Sequence, residues 1–231
     1  MKRFYKHAIA VEADGGWQVA LDGRKVKTAA GKAQVVRSRA LADELAREWA
    51  EQGDEIDPAT FLLRDLADYA IDVAAADRIR TVKDLLRYAE TDTLCYRADP
   101  DEPLFKRQQQ LWEPLLEKTE ARHAIRLERV SGIVHRPQPE ASLERLRDVL
   151  QGQDDFALAA LATLASLSAS LSIALAALEP DANAEALWAV ANLEEDWQAE
   201  QWGWDSLAQE RRAKRLRDFA NALRFAELAR A

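Results

Sequence analysis

The chain has 231 residues, 48% of them apolar and 31% charged, a balance that suits a buried core and excludes intrinsic disorder. Its net charge of −8 argues against wholesale binding to nucleic acid or to anionic lipid, both of which need a positive field, and weakly favours a basic partner surface. Eight glycines and seven prolines are few for an all-β protein, and the single cysteine, Cys95, excludes an internal disulfide framework and makes a reducing compartment the expectation.

The first residues, MKRFYKHAIAVE, carry charges with no long apolar run behind them, so neither a secretory signal nor a transit peptide is expected. FYKHAIAVE and WQVAL read as short strands, with Asp22-Gly23 between WQVAL and RKVKT as a hairpin turn of the kind that needs positive φ at both central residues. Gly15-Gly16 and Gly31 mark further turns. Residues 1–37 are therefore expected to form a small antiparallel β domain, and residues 38–231 a larger, mainly helical one, an α+β architecture.

Ser38 is placed to cap a helix over RALADELAREWAEQ that Gly53 would end, with Leu41, Leu45, Glu48 and Trp49 along one stripe. Asp57-Pro58 has the form of a cap followed by proline at a first helical position, and helical patterning continues to residue 90. TDTLCYRADPDEP is a break. LFKRQQQLWEPLLEKTEA resumes as helix, with Pro114 expected to kink or restart it. IRLERVSGIVHRPQP reads as strand-like or extended, and ASLERLRDVLQ as helix. Two long helical patterns close the chain, at about 182–202 and 205–229.

Between them, residues 156–178 contain no charge. The length suits a membrane span, but nine Ala, four Ser and one Thr contribute little to insertion. Leucines at 158, 161, 164, 167, 171, 175 and 178 form a helical stripe, and Asp154-Asp155 and Glu179 stand where a membrane helix would have Lys or Arg. A helix buried on all sides is expected, ended by Pro180, with no membrane insertion.

Catalytic chemistry finds little support. His7, His123 and His135 show no metal-ligand spacing, Cys95 has no visible base, and no phosphate-cradling glycine loop is present, so no metal, cofactor or small-molecule substrate is expected. The distinctive stretch is ANLEEDWQAEQWGWD, residues 191–205, with three tryptophans, five carboxylates and no basic residue. Glu194 and Gln198, Glu195 and Gln198, and Gln198 and Trp202 are each one helical turn apart. This pattern fits a protein-docking face, or equally a helix with core tryptophans and solvated acids; acid–base or metal chemistry by two of the carboxylates is a weaker reading.

Several segments in order resemble one family: RFYK (3–6), Gly16-Trp17, LDGR with Lys27-Thr28, EWAEQ with Ile56-Asp57-Pro58, TDTLCYRA, RQQQLWEPLL and LEEDWQAEQWG. They are similar to the assembly chaperones of the F-type ATP synthase that act on the α subunit of the F1 head. The chain departs from the family at KTAAGKAQVVRS, which lacks the usual prolines. It departs again at Phe61, Leu62 and Arg64, where a Met-Pro-Leu-Thr run is common, and at SASLSIALA, which lacks a Gly-Ser pair. The resemblance implies a small β domain and a helical domain, no catalysis and no cofactor. It also implies binding to the unassembled F1 α subunit, with release when the β subunit competes. It places a functional glutamate at Glu194, with Glu195, Gln198 and Trp202 completing the contact face, and a bacterial cytoplasmic location. A generic helical adaptor with another partner is the alternative.

Overall fold

The computed structural model describes residues 1–132 and 134–231. Strand β1 (Ala8–Ala13) pairs antiparallel with β2 (Gly16–Leu21), from Ala8 opposite Leu21 to Ala13 opposite Gly16. On the other side of β2 lie β3 (Arg24–Lys25) and β4 (Val35–Val36), both antiparallel. Asp22 and Gly23 have φ of 47° and 84°, the doubly positive turn the sequence predicts. Gly16 meets a stricter demand: a Cβ there would sit 2.2 Å from the Val36 carbonyl oxygen.

Ser38 caps α1 (Arg39–Ala50) by accepting a hydrogen bond from the Leu41 amide. Leu41, Ala42, Leu45, Ala46 and Trp49 form its buried face, packed on β1 and β2. The helix ends at Glu51 rather than at Gly53, two residues earlier than expected. Asp57 caps a single 3-10 turn, Pro58–Thr60, and α2 (Leu62–Tyr69) follows, continuing into a π-helical turn at Ala70–Ala74. No side chain at the cap position of α2 closes its first turn. Glu48 does so from α1, accepting from the Leu63 and Arg64 amides at 2.7 and 2.9 Å. Its carboxyl is pushed above the ordinary value, chiefly by burial. Asp68 and Asp72 hold the loop after β3, accepting from the Ala29 and Ala30 amides and, for Asp72, from the Thr28 hydroxyl.

The remaining elements are α3 (Arg78–Glu90), β5 (Tyr96–Arg97), α4 (Pro103–His123), β6 (Val130–Ser131), α5 (Glu140–Gln151), α6 (Asp155–Ser168), α7 (Leu171–Ala176), α8 (Ala184–Ala191), α9 (Leu193–Trp202) and α10 (Ser206–Arg230). Residues 1–78, 154–160 and 224–231 form one compact unit, and 79–153 and 161–223 another. The compact units thus do not follow the change from strand to helix at Ser38.

The structure corrects or narrows four local expectations. Pro114 does not restart α4, which runs through it as one helix with Trp112 and Leu116 fully buried on either side. Of the extended stretch 125–139, only Val130–Ser131 is a strand, pairing parallel with β5; Ile133 lies outside the described residues. The uncharged segment is two helices, broken where Ala169 takes φ of 51° and Ser170 caps α7 through the Ile173 amide. Pro180 does not end it, since α7 stops at Ala176. Its core placement holds for Leu158, Leu161, Leu164, Leu171 and Leu175, all buried. The pattern at 182–202 is likewise two helices, divided at Asn192, whose side-chain amide donates to the Trp188 carbonyl. Among the described residues no helix is long and apolar enough to cross a membrane.

Candidate functional site

Helix α9 lies beside α4, on which it packs, and is tied to α10. Its inward side is fixed by Leu193, which is buried, and by two arginines reaching across. Arg107 of α4 grips Glu200 with both terminal nitrogens, at 2.5 and 2.8 Å, and lies over the Trp197 ring. Arg212 of α10 grips Asp196 through Nε and Nη2, at 2.9 and 2.5 Å, and lies over Trp204. Two-pronged arginine–carboxylate pairs fix orientation as well as position, so α9 is held from both neighbours.

The outward side carries Glu195, Gln198 and Trp202, all exposed, and at its edge Glu194, exposed as a residue but with its carboxyl part-buried against α4. Trp202 is 80% exposed, just before the turn at Gly203 (φ 86°) that leads to α10. Trp204 and Leu207 are exposed beyond it. A groove of about 500 Å³, with Leu111, Leu193, Leu216 and Trp204 in its walls, runs between the three helices. The structure therefore brings all four sequence-predicted residues onto one face.

Sequence reasoning missed Gln108. Its side chain is fully buried; Nε2 donates to the Glu194 Oε1 at 2.7 Å, and its Oε1 accepts from the Ala98 amide at 2.9 Å. The Glu194 carboxyl is pushed above its ordinary value because burial outweighs this hydrogen bond. A signal was present: Gln108, Trp112, Leu116 and Thr119 follow one helical stripe, and a glutamine on an otherwise buried stripe calls for a polar partner.

The other candidates stand apart from this face. Cys95 is buried, and burial pushes its thiol up to about 12, which leaves it protonated and non-nucleophilic near neutrality. His135 makes its hydrogen bond with Tyr96, and His123 is lowered by burial. No group of three or more His, Cys, Asp or Glu among the described residues could hold a metal ion.

The family described as ATP12 chaperone protein matches residues 2–120. The chain belongs to the ATP12 chaperone family. It is similar to the mitochondrial protein atp12 of Schizosaccharomyces pombe, 27% identical over 214 residues that cover 87% of this chain and 74% of the relative. Among solved structures it is similar to Atp12 from Paracoccus denitrificans, with 32% identity, a TM-score of 0.93, and 99% and 98% of the two chains covered. The Agrobacterium tumefaciens protein Atu1473 is 40% identical, also at a TM-score of 0.93, over 98% of this chain and 85% of that one. As an ATP12 chaperone, the chain is an ATP synthase assembly factor and not an enzyme. Helix α9 lies beyond the stretch that the family matches and within the part that the Paracoccus Atp12 structure covers.

Proposed function

We propose that this ATP12 chaperone binds the unassembled α subunit of the F1 head, shields the surface that the β subunit will occupy, and is released as the α/β hexamer forms. The observation that carries the reading is the outward side of α9. An 80%-exposed tryptophan stands beside Glu194, Glu195 and Gln198 on a helix already fixed from behind. A large aromatic ring with acceptors around it, on a surface that needs no reordering, is the composition of a protein-binding anchor. Competition by β for the same surface would release the client without nucleotide hydrolysis. The place of action on this reading is the bacterial cytoplasm, where the α subunit is made.

Co-expression with the α subunit alone, followed by size-exclusion chromatography with light scattering, tests it. The expected result is a defined complex that dissociates when β is added. Trp202→Ala is expected to weaken the complex by roughly tenfold or more, the effect of losing a central aromatic anchor. Aggregation of α regardless of this chain would sink the proposal, and an undiminished complex with both Trp202→Ala and charge-reversed Glu195 would remove α9 as the contact face.

A further inference from the structure

A second concave surface lies in the unit that contains the sheet, remote in sequence from α9. It is a groove of about 390 Å³ with Phe4, Val26 and Trp49 among its apolar lining and Arg24, Lys25, Lys27 and Arg64 as its charged residues. No carboxylate lines it. Arg64 has Asp65 and Asp68 at 3.5 and 3.8 Å. Arg24, Lys25 and Lys27 are exposed and have no carboxylate within ion-pair distance among the described residues. Three uncompensated cations around one concavity are a concentrated positive site on a chain of net charge −8.

Trp49 supplies an independent observation. It is only 8% exposed, packed between Tyr5, edge-on at 5.7 Å, and Phe61, tilted at 4.5 Å, yet its indole Nε1 is buried with no acceptor among the described residues. Most buried indole N–H groups find a partner, because leaving a donor unpaired costs free energy. Here the donor belongs to a residue that lines a groove rich in cations and empty of acceptor side chains of opposite charge. The indole lacks an acceptor and the cations lack a negative charge, and a carboxylate supplies both; the exposed ring of Phe4 and the side chain of Val26 suit apolar residues beside it.

We infer that this groove binds an extended peptide segment in which acidic and aliphatic residues alternate, with one carboxylate near the Trp49 indole and flanking ones against Arg24, Lys25 and Lys27. The identity of the segment as part of the client rests on the function proposed above; the peptide chemistry does not. The groove would give the chaperone a second, electrostatically selective hold, opposite in charge to the α9 face.

The test uses the whole chain labelled with ¹⁵N at its seven tryptophans, each of which gives one indole signal. Trp49→Phe assigns the Trp49 signal while keeping an aromatic ring. The probes are the peptides acetyl-VDLEVDL-amide and acetyl-VNLQVNL-amide, and inorganic phosphate. The acidic peptide is expected to shift the Trp49 signal saturably, with affinity falling as salt rises and lost in the exposed triple variant Arg24→Glu, Lys25→Glu, Lys27→Glu. No shift with the acidic peptide, or an equal shift with the neutral one, overturns the inference. Phosphate alone reproducing the saturating shift overturns the peptide assignment. Co-expression with the α subunit separates the two proposals. A wild-type chain that fails to capture α sinks the client and leaves the titration to decide the groove, whereas capture with a failed titration removes the groove alone.

Discussion

Replacing Glu194 separates two roles that one residue holds in this structure. Its side chain lies on the outward face of α9, but its Oε1 is also the acceptor for the fully buried Gln108 amide, which in turn holds the Ala98 amide. Glu194→Ala strands the Gln108 Nε2 donor, which costs about 1–3 kcal/mol. In a chain of this size that is roughly 2–4 °C in Tm per kcal/mol. Glu194→Lys sets an ammonium against that donor and is expected to cost more. Glu194→Gln keeps an oxygen at the same place and is expected to stay within about 1 kcal/mol of wild type. Thermal melts of the three variants, with α-subunit capture measured on each that melts normally, give the answer. If Glu194→Gln folds normally but captures α poorly, the charge itself is used in binding; if it captures normally, Glu194 acts by fixing α9. pH adds a check. Burial holds the native carboxyl above its ordinary value of 4.5, so the native state binds this proton more tightly than the unfolded chain. Wild-type stability relative to Glu194→Gln must therefore fall as pH rises from the ordinary value through the raised one. A Glu194→Ala variant as stable as wild type, or a relative stability that rises over that window, would refute the reasoning.

Trp49→Arg replaces a buried ring packed between two other aromatic rings by a charge and should destabilise by several kcal/mol; a normal melting curve would refute the packing role. Gly16→Ala should be far more damaging than Gly15→Ala, because a Cβ at 16 meets the Val36 carbonyl and one at 15 meets open space; comparable melting temperatures for the two would contradict this. Cys95, buried and with its thiol pushed up to about 12, should react with iodoacetamide at pH 8 only after denaturant is added, and rapid labelling of the native chain would show the site to be open. Asp92→Ala removes the buried acceptor for the Leu94 and Ser172 amides and should cost roughly 3 kcal/mol in a denaturant titration, whereas an unchanged midpoint would show that water replaces it.

The N-terminal sheet was legible because each of its devices is local. Asp22-Gly23 requires the turn it forms, Ser38 caps the helix it precedes, and β-branched and aromatic residues mark β1 and β2 as strands. The breaks at Ala169 and Asn192 were not legible. Neither has Pro or Gly, and both depend on tertiary partners: Arg215 takes the Leu167 carbonyl that the interrupted helix frees, and the Asn192 side chain returns to Trp188. The α9 face was readable as spacing, since residues 194, 198 and 202 share a face on any helix. Its support was not, because Arg107, Gln108 and Arg212 come from elements 80 or more residues before and 16 after their partners. Glu48 shows the same limit in reverse. It fell on the apolar stripe of α1 by spacing alone, and its actual function there is to close the first turn of α2.

The division of labour on α9 has a consequence for release. Asp196 and Glu200 are each committed to an arginine of this chain and Glu194 to the Gln108 amide, so on the proposed reading a client would find Glu195, Gln198 and Trp202 without such a commitment and would compete with Gln108 for Glu194. A contact made from one aromatic anchor and a few solvent-accessible acceptors holds through burial of the ring, while the exposed charges contribute little to equilibrium affinity and more to the rate of encounter. On the proposed function, such a hold would have to compete with self-association of the client and yet yield to a native subunit with a larger and more complementary interface. Disrupting Arg107 or Arg212 should therefore act differently from disrupting Trp202. The first loosens the platform and frees an acidic side chain, so it lowers stability and broadens selectivity, whereas the second lowers affinity in a chain that folds as before. Tm and α-subunit affinity measured on Arg212→Ala and Trp202→Ala would expose the difference, and parallel losses of both quantities in both variants would show that α9 is not a preformed platform.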